Sequence, residues 1–315
     1  MNLLHDFPLA IACAADDAYA MHMAVMLRSV LENIPASQPV CIFAIDGGIK
    51  ESNKAKILAS LGKELVDFNW IPEPVELPDN LPLAKDVLSH ASKALYYRLL
   101  LADVLPVDYE KVIYLDSDLI VVQDLQKLWQ TDIGDNYVLA VQDSSIPFVS
   151  SPYGLKKYQD LNIAPENKYF NSGVLVINLK KWRDENISTK LFQYLETYKD
   201  FVQHHDQEAM NALFVGKWGE IEPQWNQTPN FFDYSSWQES PYQEVDYYNA
   251  VNNPCIVHFA GTAKPWNSFE KHPLRELFFH YLDMTAWSGW RFTVWKRFRS
   301  KFIRMIGIFN VWSFP

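Results

Sequence analysis

Residues 9–15 (LAIACAA) form an unbroken apolar run of strand length. Met23, Met26, Leu27, Val30 and Leu31 then recur at the spacing of a helix with one buried face. Residues 39–45 predict a second strand, closed by the turn residues Asp46, Gly47 and Gly48. A helix is expected over 52–61 and a short strand over 65–70, followed by a loop marked by Pro72, Pro74, Pro78 and Pro82. Ser92 is placed to cap a helix that runs through Asp103 and stops before Pro106. Residues 111–115 and 119–122 are apolar on both faces, as strands buried in a parallel sheet are. Further strands are expected over 137–141, 173–179 and 255–259, and helices over 188–198 and 207–214. Strands alternating with helices predict an α/β sheet covered on both faces, with ligands at the carboxyl ends of its strands.

Composition agrees with a large core: 49% of the 315 residues are hydrophobic and 21% charged. That length suits one large α/β domain or two small ones. The 11 Trp and 16 Tyr fit a sugar site, where flat rings meet pyranose C–H groups, but they equally fit core and membrane-interface positions. A net charge of −10 argues against nucleic acid as a partner. Cys13, Cys41 and Cys255 are far apart with no C-x-x-C pair, so neither a structural zinc site nor a disulfide framework is suggested, and reduced thiols in a cytoplasmic protein are expected. His5, Asp6 and Pro8 are wrong for a secretory leader, and no run reaches about 20 apolar residues, so no spanning helix is expected.

The charge is uneven. Residues 287–315 hold Arg291, Lys296, Arg297, Arg299, Lys301 and Arg304 and no acidic residue. Trp295, Phe298, Phe302, Met305, Ile306 and Phe309 share one helical face, with Arg297, Lys301 and Arg304 opposite. Two readings stand: an amphipathic helix lying on an anionic membrane, or a terminal helix packed on the domain.

Candidate chemistry begins where the strand over 111–115 runs into Asp116-Ser117-Asp118. Side chains at i and i+2 of an extended chain point the same way, and two carboxylates so placed repel unless a cation sits between them. Oxygen ligands suit Mg²⁺ or Mn²⁺, which also bind diphosphate oxygens. The alternative is a pair of turn or cap aspartates. A second apolar strand leads into His258, followed by Gly261 and Lys264. His258 offers an imidazole, Gly261 a close backbone approach and Lys264 a point charge for phosphate. Singly they also read as a core histidine and a surface lysine. Imidazole beside two carboxylates favours Mn²⁺ over Mg²⁺.

Together these segments resemble the family 8 glycosyltransferases, which include bacterial lipopolysaccharide galactosyl- and glucosyltransferases. The resemblance spans residues 11–266. Ala14-Ala15-Asp16-Asp17-Ala18-Tyr19 is similar to the family's nucleotide-contacting first loop, and Asp116-Ser117-Asp118 to its D-x-D motif. Phe170-Asn171-Ser172-Gly173 with Asn178-Leu179-Lys180-Lys181-Trp182 resembles its acceptor- and sugar-side segment. His205-Asp206-Gln207-Glu208 with Asn211 is similar to its D-Q-D stretch, and residues 258–266 match its H-x-x-G-x-x-K-P-W motif without a gap. Ala18 stands where a polar residue is common, and Glu208 replaces the second Asp of D-Q-D.

The resemblance implies a GT-A fold (a Rossmann-like mixed sheet with helices on both faces), a UDP-hexose donor, Mn²⁺ and retention of anomeric configuration. With the tail pattern above, the chain reads as one catalytic domain over 1–286 and a basic aromatic helical tail over 287–315. Asp116, Asp118 and His258 would hold the metal. Asp16 and Tyr19 would meet the uridine, and Arg98, Ser117, Asn171, Gly261 and Lys264 other parts of the donor. Asp206 would bind donor hydroxyls and Gln207 would lie near the anomeric carbon. Residue chemistry leaves alternatives: Asp16 and Asp206 as helix caps, Arg98 in a structural ion pair with an Asp, and Asn171 as a turn residue. The adjacent His204 and His205 are left unassigned, because neighbours seldom ligate one ion well.

Among Asp206, Gln207 and Glu208, the local nucleophile candidates, Gln207 is a neutral amide and a poor nucleophile. That favours front-face attack by the acceptor. The acceptor is expected to be a saccharide, lipid-linked where the tail meets the inner face of the cytoplasmic membrane. Competing readings are a sugar-1-phosphate nucleotidyltransferase, a non-catalytic nucleotide-sugar-binding module and a self-glucosylating initiator. With 11 Gly, no G-x-G-x-x-G and no Walker motif, the chain lacks the phosphate loop the first would want.

Overall fold

A computed structural model describes residues 8–62, 66–73, 77–78, 81, 93–261, 264–266 and 272–291. Its strands are β1 (Leu9–Ala15), β2 (Val40–Asp46), β3 (Val66–Ile71), β4 (Lys111–Leu115), β5 (Leu119–Val121), β6 (Val138–Gln142), β7 (Phe170–Asn178), β8 (Trp218–Glu220) and β9 (Ile256–His258). Seven of them form one sheet in the order β3-β2-β1-β4-β7-β6-β8. β3, β2, β1 and β4 run parallel, while β7 lies antiparallel to both β4 and β6. β5 and β9 pair antiparallel in a separate two-stranded sheet. The helices are α1 (Ala20–Asn33), α2 (Glu51–Leu61), α3 (Leu101–Val104), α4 (Gln126–Gln130), α5 (Leu179–Asp184), α6 (Ile187–Thr197), α7 (His205–Leu213), α8 (Glu244–Asn252) and α9 (Arg275–Leu282).

β1 shows why the sheet is covered on both sides. Its alternate residues Leu9, Ile11 and Cys13 join Met23, Met26, Leu27 and Val30 of α1 in one core cluster. Ala10, Ala12 and Ala14, facing the other way, leave room for Tyr96, Tyr97 and Tyr114 in a second. All seven β1 residues are buried, so the strand carries no polar face. All three cysteines are buried and free.

The topology gathers the chemistry at one edge. β1 and β4 are parallel neighbours (Ile11 opposite Ile113), so Asp16 and Asp116 leave the sheet on the same side. β7 starts at that edge, where the Asp116 N–H donates to the Gly173 carbonyl at 2.9 Å. In the small sheet Leu119 lies opposite His258, and the Phe259 N–H donates to the Asp118 carbonyl at 3.0 Å. That pairing brings the second motif to the first across 140 residues of chain.

Several elements depart from the sequence pattern. The helix expected from Ser92 to Asp103 is a 3₁₀ helix over Lys93–Leu100 followed by the single α-turn of α3, with Ser92 outside the described residues. Tyr96 to Leu100 are buried without interruption, so packing from all sides sets this geometry rather than one apolar stripe. β7 begins three residues before the expected 173, which puts Asn171 inside a strand rather than in a preceding turn. β8, α4, α5, α8 and α9 carry no period that distinguished them in the sequence. Of the Pro-rich loop, residues 74–76, 79–80 and 82–92 lie outside the described residues, as do 292–315 of the basic tail. The described part of that tail packs on the body: Trp287 meets two core clusters, and Lys56 Nζ lies 5.3 Å from its ring centre. Among the described residues no helix is long and apolar enough to cross a membrane.

Candidate active site

Asp116, Asp118 and His258 converge, each offering one ligand atom within 4.8 Å of the others. His258 Nε2 lies 3.2 Å from Asp118 Oδ1 and 3.8 Å from Asp116 Oδ2. Between the two acids, Ser117 turns away and donates its hydroxyl to the Ala14 carbonyl at 2.9 Å, tying β4 to β1. The strand alternation that put both carboxylates on one side therefore also gave the middle residue a structural bond.

Gly173 is the floor of this cluster. A Cβ there would stand 2.2 Å from His258 Cε1 and 2.9 Å from Asp116 Oδ2, so only glycine lets the ring and the carboxylate approach. Two carboxylate oxygens and one imidazole nitrogen form a donor set that suits Mn²⁺ and tolerates Mg²⁺. The residues present fit a divalent ion.

Lys264 closes one side. Its ammonium bonds Asp118 Oδ2 and donates to the Phe259 carbonyl at 2.5 Å, so it is a buried partner of the cluster rather than a surface charge. Burial opposes ionisation of Asp118, but the Lys264 ammonium and the His258 ring outweigh it and hold the carboxyl far below its usual range. Gly261, in the left-handed region at φ 72°, is exposed, with no neighbour within 4 Å of where its Cβ would be.

Arg98 underlies the acidic pair. It is 2% exposed, pairs with Asp116 Oδ1 at 2.9 Å and Asp206 Oδ2 at 2.8 Å, and donates to the Ser172 carbonyl at 2.7 Å. Its guanidinium also stacks 4.6 Å from the Tyr114 ring centre. The ion-pair alternative for Arg98 is thus the observed one, with two aspartates rather than one. Asp206 is not a cap; it lies within the first turn of α7. Capping falls to Glu208, whose carboxylate accepts the N–H groups of Gln203 (2.6 Å) and His204 (3.2 Å). Glu208 therefore faces the helix start, and Asn211 clamps the Phe170 backbone through both its amide atoms.

Gln207 is held at both ends of its amide: Oε1 accepts the Ser172 N–H at 2.9 Å and Nε2 donates to Asp143 Oδ2 at 3.2 Å. Asn171 donates to the same Asp143 oxygen at 3.0 Å. Asp16 Oδ1 accepts the Tyr19 N–H at 3.1 Å, capping the turn into α1. The Tyr19 ring meets Trp266 edge-on at 6.4 Å, which links the first loop to the last motif. A cleft runs past Asp16 and Tyr19 to Arg98, Asp116 and Asp118, lined also by Ala94, Leu95 and Tyr114.

The sequence model described as glycosyl transferase family 8 matches residues 10–270. The chain belongs to this family. General stress protein A of Bacillus subtilis (strain 168) is 34% identical to this glycosyltransferase over 281 residues, covering 88% of this chain and 94% of that one. Glycosyltransferase GlyE of Streptococcus pneumoniae serotype 4 is 28% identical over 282 residues, covering 89% of this chain and 62% of its own. Among solved structures, an active-site mutant of LgtC superposes with a TM-score of 0.76 at 31% identity, over 88% of this chain and 96% of LgtC. Galactosyltransferase LgtC in complex with donor and acceptor sugar analogues gives a TM-score of 0.75 at the same identity and coverage. The GT-A fold expected from the sequence is the observed one.

Sequence reasoning missed two residues of this glycosyltransferase's site. Asp143 follows β6 at the same sheet edge and is 4% exposed; a carboxylate directly after a buried strand was the available signal. Asn226 ends a 3₁₀ turn and bonds His258 Nδ1 at 2.8 Å; nothing in its neighbourhood along the chain announces it.

His22 lies under the same wall, its ring 3.9 Å from that of Trp266 and 5.0 Å from that of Tyr19. Burial pushes its imidazole down to about 3, against the pull of Asp118. The unfolded chain then binds a proton between the ordinary value of 6.5 and about 3 that the folded chain refuses, so stability falls as pH falls through that window. Between pH 7 and 5 the glycosyltransferase should lose up to about 2 kcal/mol more than His22→Phe, measured by urea unfolding. Parallel pH profiles for the two would reject this account.

Proposed function

We propose that this glycosyltransferase moves glucose or galactose from a UDP-sugar onto a saccharide acceptor with retention of configuration, using Mn²⁺. The convergence of Asp116, Asp118 and His258 at the end of a cleft that starts at Asp16 and Tyr19 carries the reading. The likeness to LgtC, solved with donor and acceptor sugar analogues, supports it.

Asp116, Asp118 and His258 would hold the ion. When bound, it supplies charge neutralisation for the diphosphate leaving group. Asp16 and Tyr19 are positioned for the nucleoside. Lys264 and the open backbone at Gly261 are positioned for the phosphates, while Arg98 and Ser117 fix the acidic pair against the cleft wall. Asn171, Asp206 and Gln207 form the sugar side. The Gln207 carbonyl is already engaged by a backbone N–H, and Asp143 accepts hydrogen bonds from Asn171, Gln207, Ser145 and Ile146. Neither group offers a free nucleophile, which favours front-face attack by the acceptor hydroxyl.

The test is UDP release from a panel of UDP-sugars with Mn²⁺ and no acceptor. Slow release from UDP-glucose or UDP-galactose is expected, and none from any member would refute the donor assignment. Gln207→Ala should keep clear residual turnover, within about 100-fold of wild type. Loss as complete as that of Asp118→Ala would instead favour a covalent role for Gln207.

The acceptor proposal extends to a glycolipid at the cytoplasmic face of a membrane, because residues 292–315 add Lys and Arg among aromatics with no acid. A chain ending at Arg291 should release from phosphatidylserine liposomes that retain the full chain. Equal binding would remove the tail from the proposal.

A further inference from the structure

We propose that Asn226 is a positioning residue. With Asn171 it forms a one-way chain of amide hydrogen bonds from the Asp143 carboxylate to His258, and the chain keeps a proton at Nδ1, so that Nε2, beside Asp116 and Asp118, is the nitrogen left to ligate a cation. The inference rests on the metal-site reading above.

The direction follows from donor and acceptor chemistry. Asp143 is held by the Ser145 N–H (2.8 Å), the Ser145 hydroxyl (2.7 Å) and the Ile146 N–H (3.0 Å), all on Oδ1. A carboxylate accepts only, so Asn171 must present its NH₂ to Oδ2, at 3.0 Å. Asn171 Oδ1 then faces the other way and accepts from Asn226 Nδ2 at 2.9 Å. The Gly173 N–H donates to the same Asn171 oxygen at 3.0 Å, and a backbone donor cannot be reversed. With its NH₂ spent on Asn171, Asn226 has only its oxygen left for His258 Nδ1, at 2.8 Å. That oxygen can accept but not donate, so Nδ1 carries a hydrogen and Nε2 is the nitrogen left to take a cation. Nε2 is the atom that faces both aspartates.

Burial makes the relay rigid. Asn226 is 1% exposed and His258 3% exposed, so neither exchanges its partner for bulk water. The ring packs on Gly173, where an added Cβ would stand 2.2 Å from Cε1, so no larger residue there would leave it in place. An outer partner that orients a ligating histidine is worth about 10–100-fold in metal affinity. Here that partner is an amide, and its polarity is set by a carboxylate two side chains away.

The experiment uses the full chain with ¹⁵N-labelled histidine at about pH 8, and identifies His258 by the signals lost in His258→Gln. Long-range ¹H–¹⁵N spectra of the metal-free protein should show His258 protonated at Nδ1. Asn226→Leu should lose that single tautomer and bind Mn²⁺ about 10–100-fold more weakly by EPR titration. Asn226→Asp still accepts from Nδ1–H, so it should keep the tautomer and stay within a few-fold of wild-type affinity. A wild-type His258 with no proton at Nδ1 overturns the proposal. So does an Asn226→Leu that keeps tautomer and affinity, or an Asn226→Asp as impaired as Asn226→Leu, since a packing role would affect both alike. If Asn226→Leu does not fold, the wild-type spectrum and Asn226→Asp still decide. Failure of the wild type to bind Mn²⁺ refutes the metal reading, while the tautomer signal continues to test the relay.

Discussion

Asp118→Ala is expected to lower kcat/KM for UDP-sugar turnover by about 10³-fold or more while leaving the protein folded. On the proposed metal reading, removing one of three ligand atoms would forfeit several kcal/mol of stabilisation of the leaving diphosphate, and about 4 kcal/mol corresponds to that factor. The same substitution strands the Lys264 ammonium, which bonds Asp118 directly. Chelation of divalent ions from the wild type should reproduce the loss, and Mn²⁺ should restore the wild type but not the variant. Asp283→Ala is the control: its carboxylate pairs with Arg291 on the surface at 2.7 Å, and its removal should leave kcat/KM unchanged. An Asp118→Ala enzyme within tenfold of wild type would dissolve the metal assignment.

Arg98→Met should be the most destabilising single change near the cleft. The guanidinium is the sole cation within ion-pair distance of Asp206 among the described residues, and it also pairs with Asp116 and holds the Ser172 carbonyl. Methionine fills similar volume but leaves a fully buried Asp206 uncompensated, and breaking such a pair costs about 3–5 kcal/mol. In a protein of this size that lowers Tm by on the order of 10 °C. The sign of the pH dependence is distinctive. Burial already raises the Asp206 carboxyl, with Arg98 opposing, so without Arg98 the group should rise further. A folded-state acid with a raised value holds a proton the unfolded chain releases, and its stability falls as pH rises above the ordinary carboxylate range. The deficit of Arg98→Met should therefore be larger at pH 8 than at pH 5. Arg98→Lys should fall between, since an ammonium keeps the charge but cannot bridge three partners in one plane. A pH-independent deficit below 1 kcal/mol would mean that the buried ion pair is worth no more than a surface one.

The elements that placed the site were the most legible in sequence. β1, β2 and β4 are continuous apolar runs because each is buried on both faces, and no amphipathic alternative competes. The residues at their carboxyl ends, Asp16 and the Asp116–Asp118 pair, could be read as chemistry because the strand before them fixes where they point. The second motif was legible through its own strand and spacing, and β9 places His258 beside Asp118. A helix around Arg98 was expected, but its 3₁₀ winding was not legible, since a segment buried nearly all round has no period to read. Asn226 was less so, because its function depends only on what stands 2.8 Å away in space.

What the sequence determined by itself is the kind of side chains that gather: two carboxylates, an imidazole and a lysine, presented by strands at one sheet edge. Local burial dictates strand or helix, and residue type dictates chemistry, so both survive without coordinates. Tertiary structure alone decided how those residues are shared. Arg98 bridges two aspartates, Lys264 is drawn onto Asp118, Glu208 turns to the start of its helix, and a carboxylate at 143 orients a ring at 258 through two amides. Each of these is a competition among donors and acceptors far apart in the chain, and only their arrangement in space sets which pairing wins.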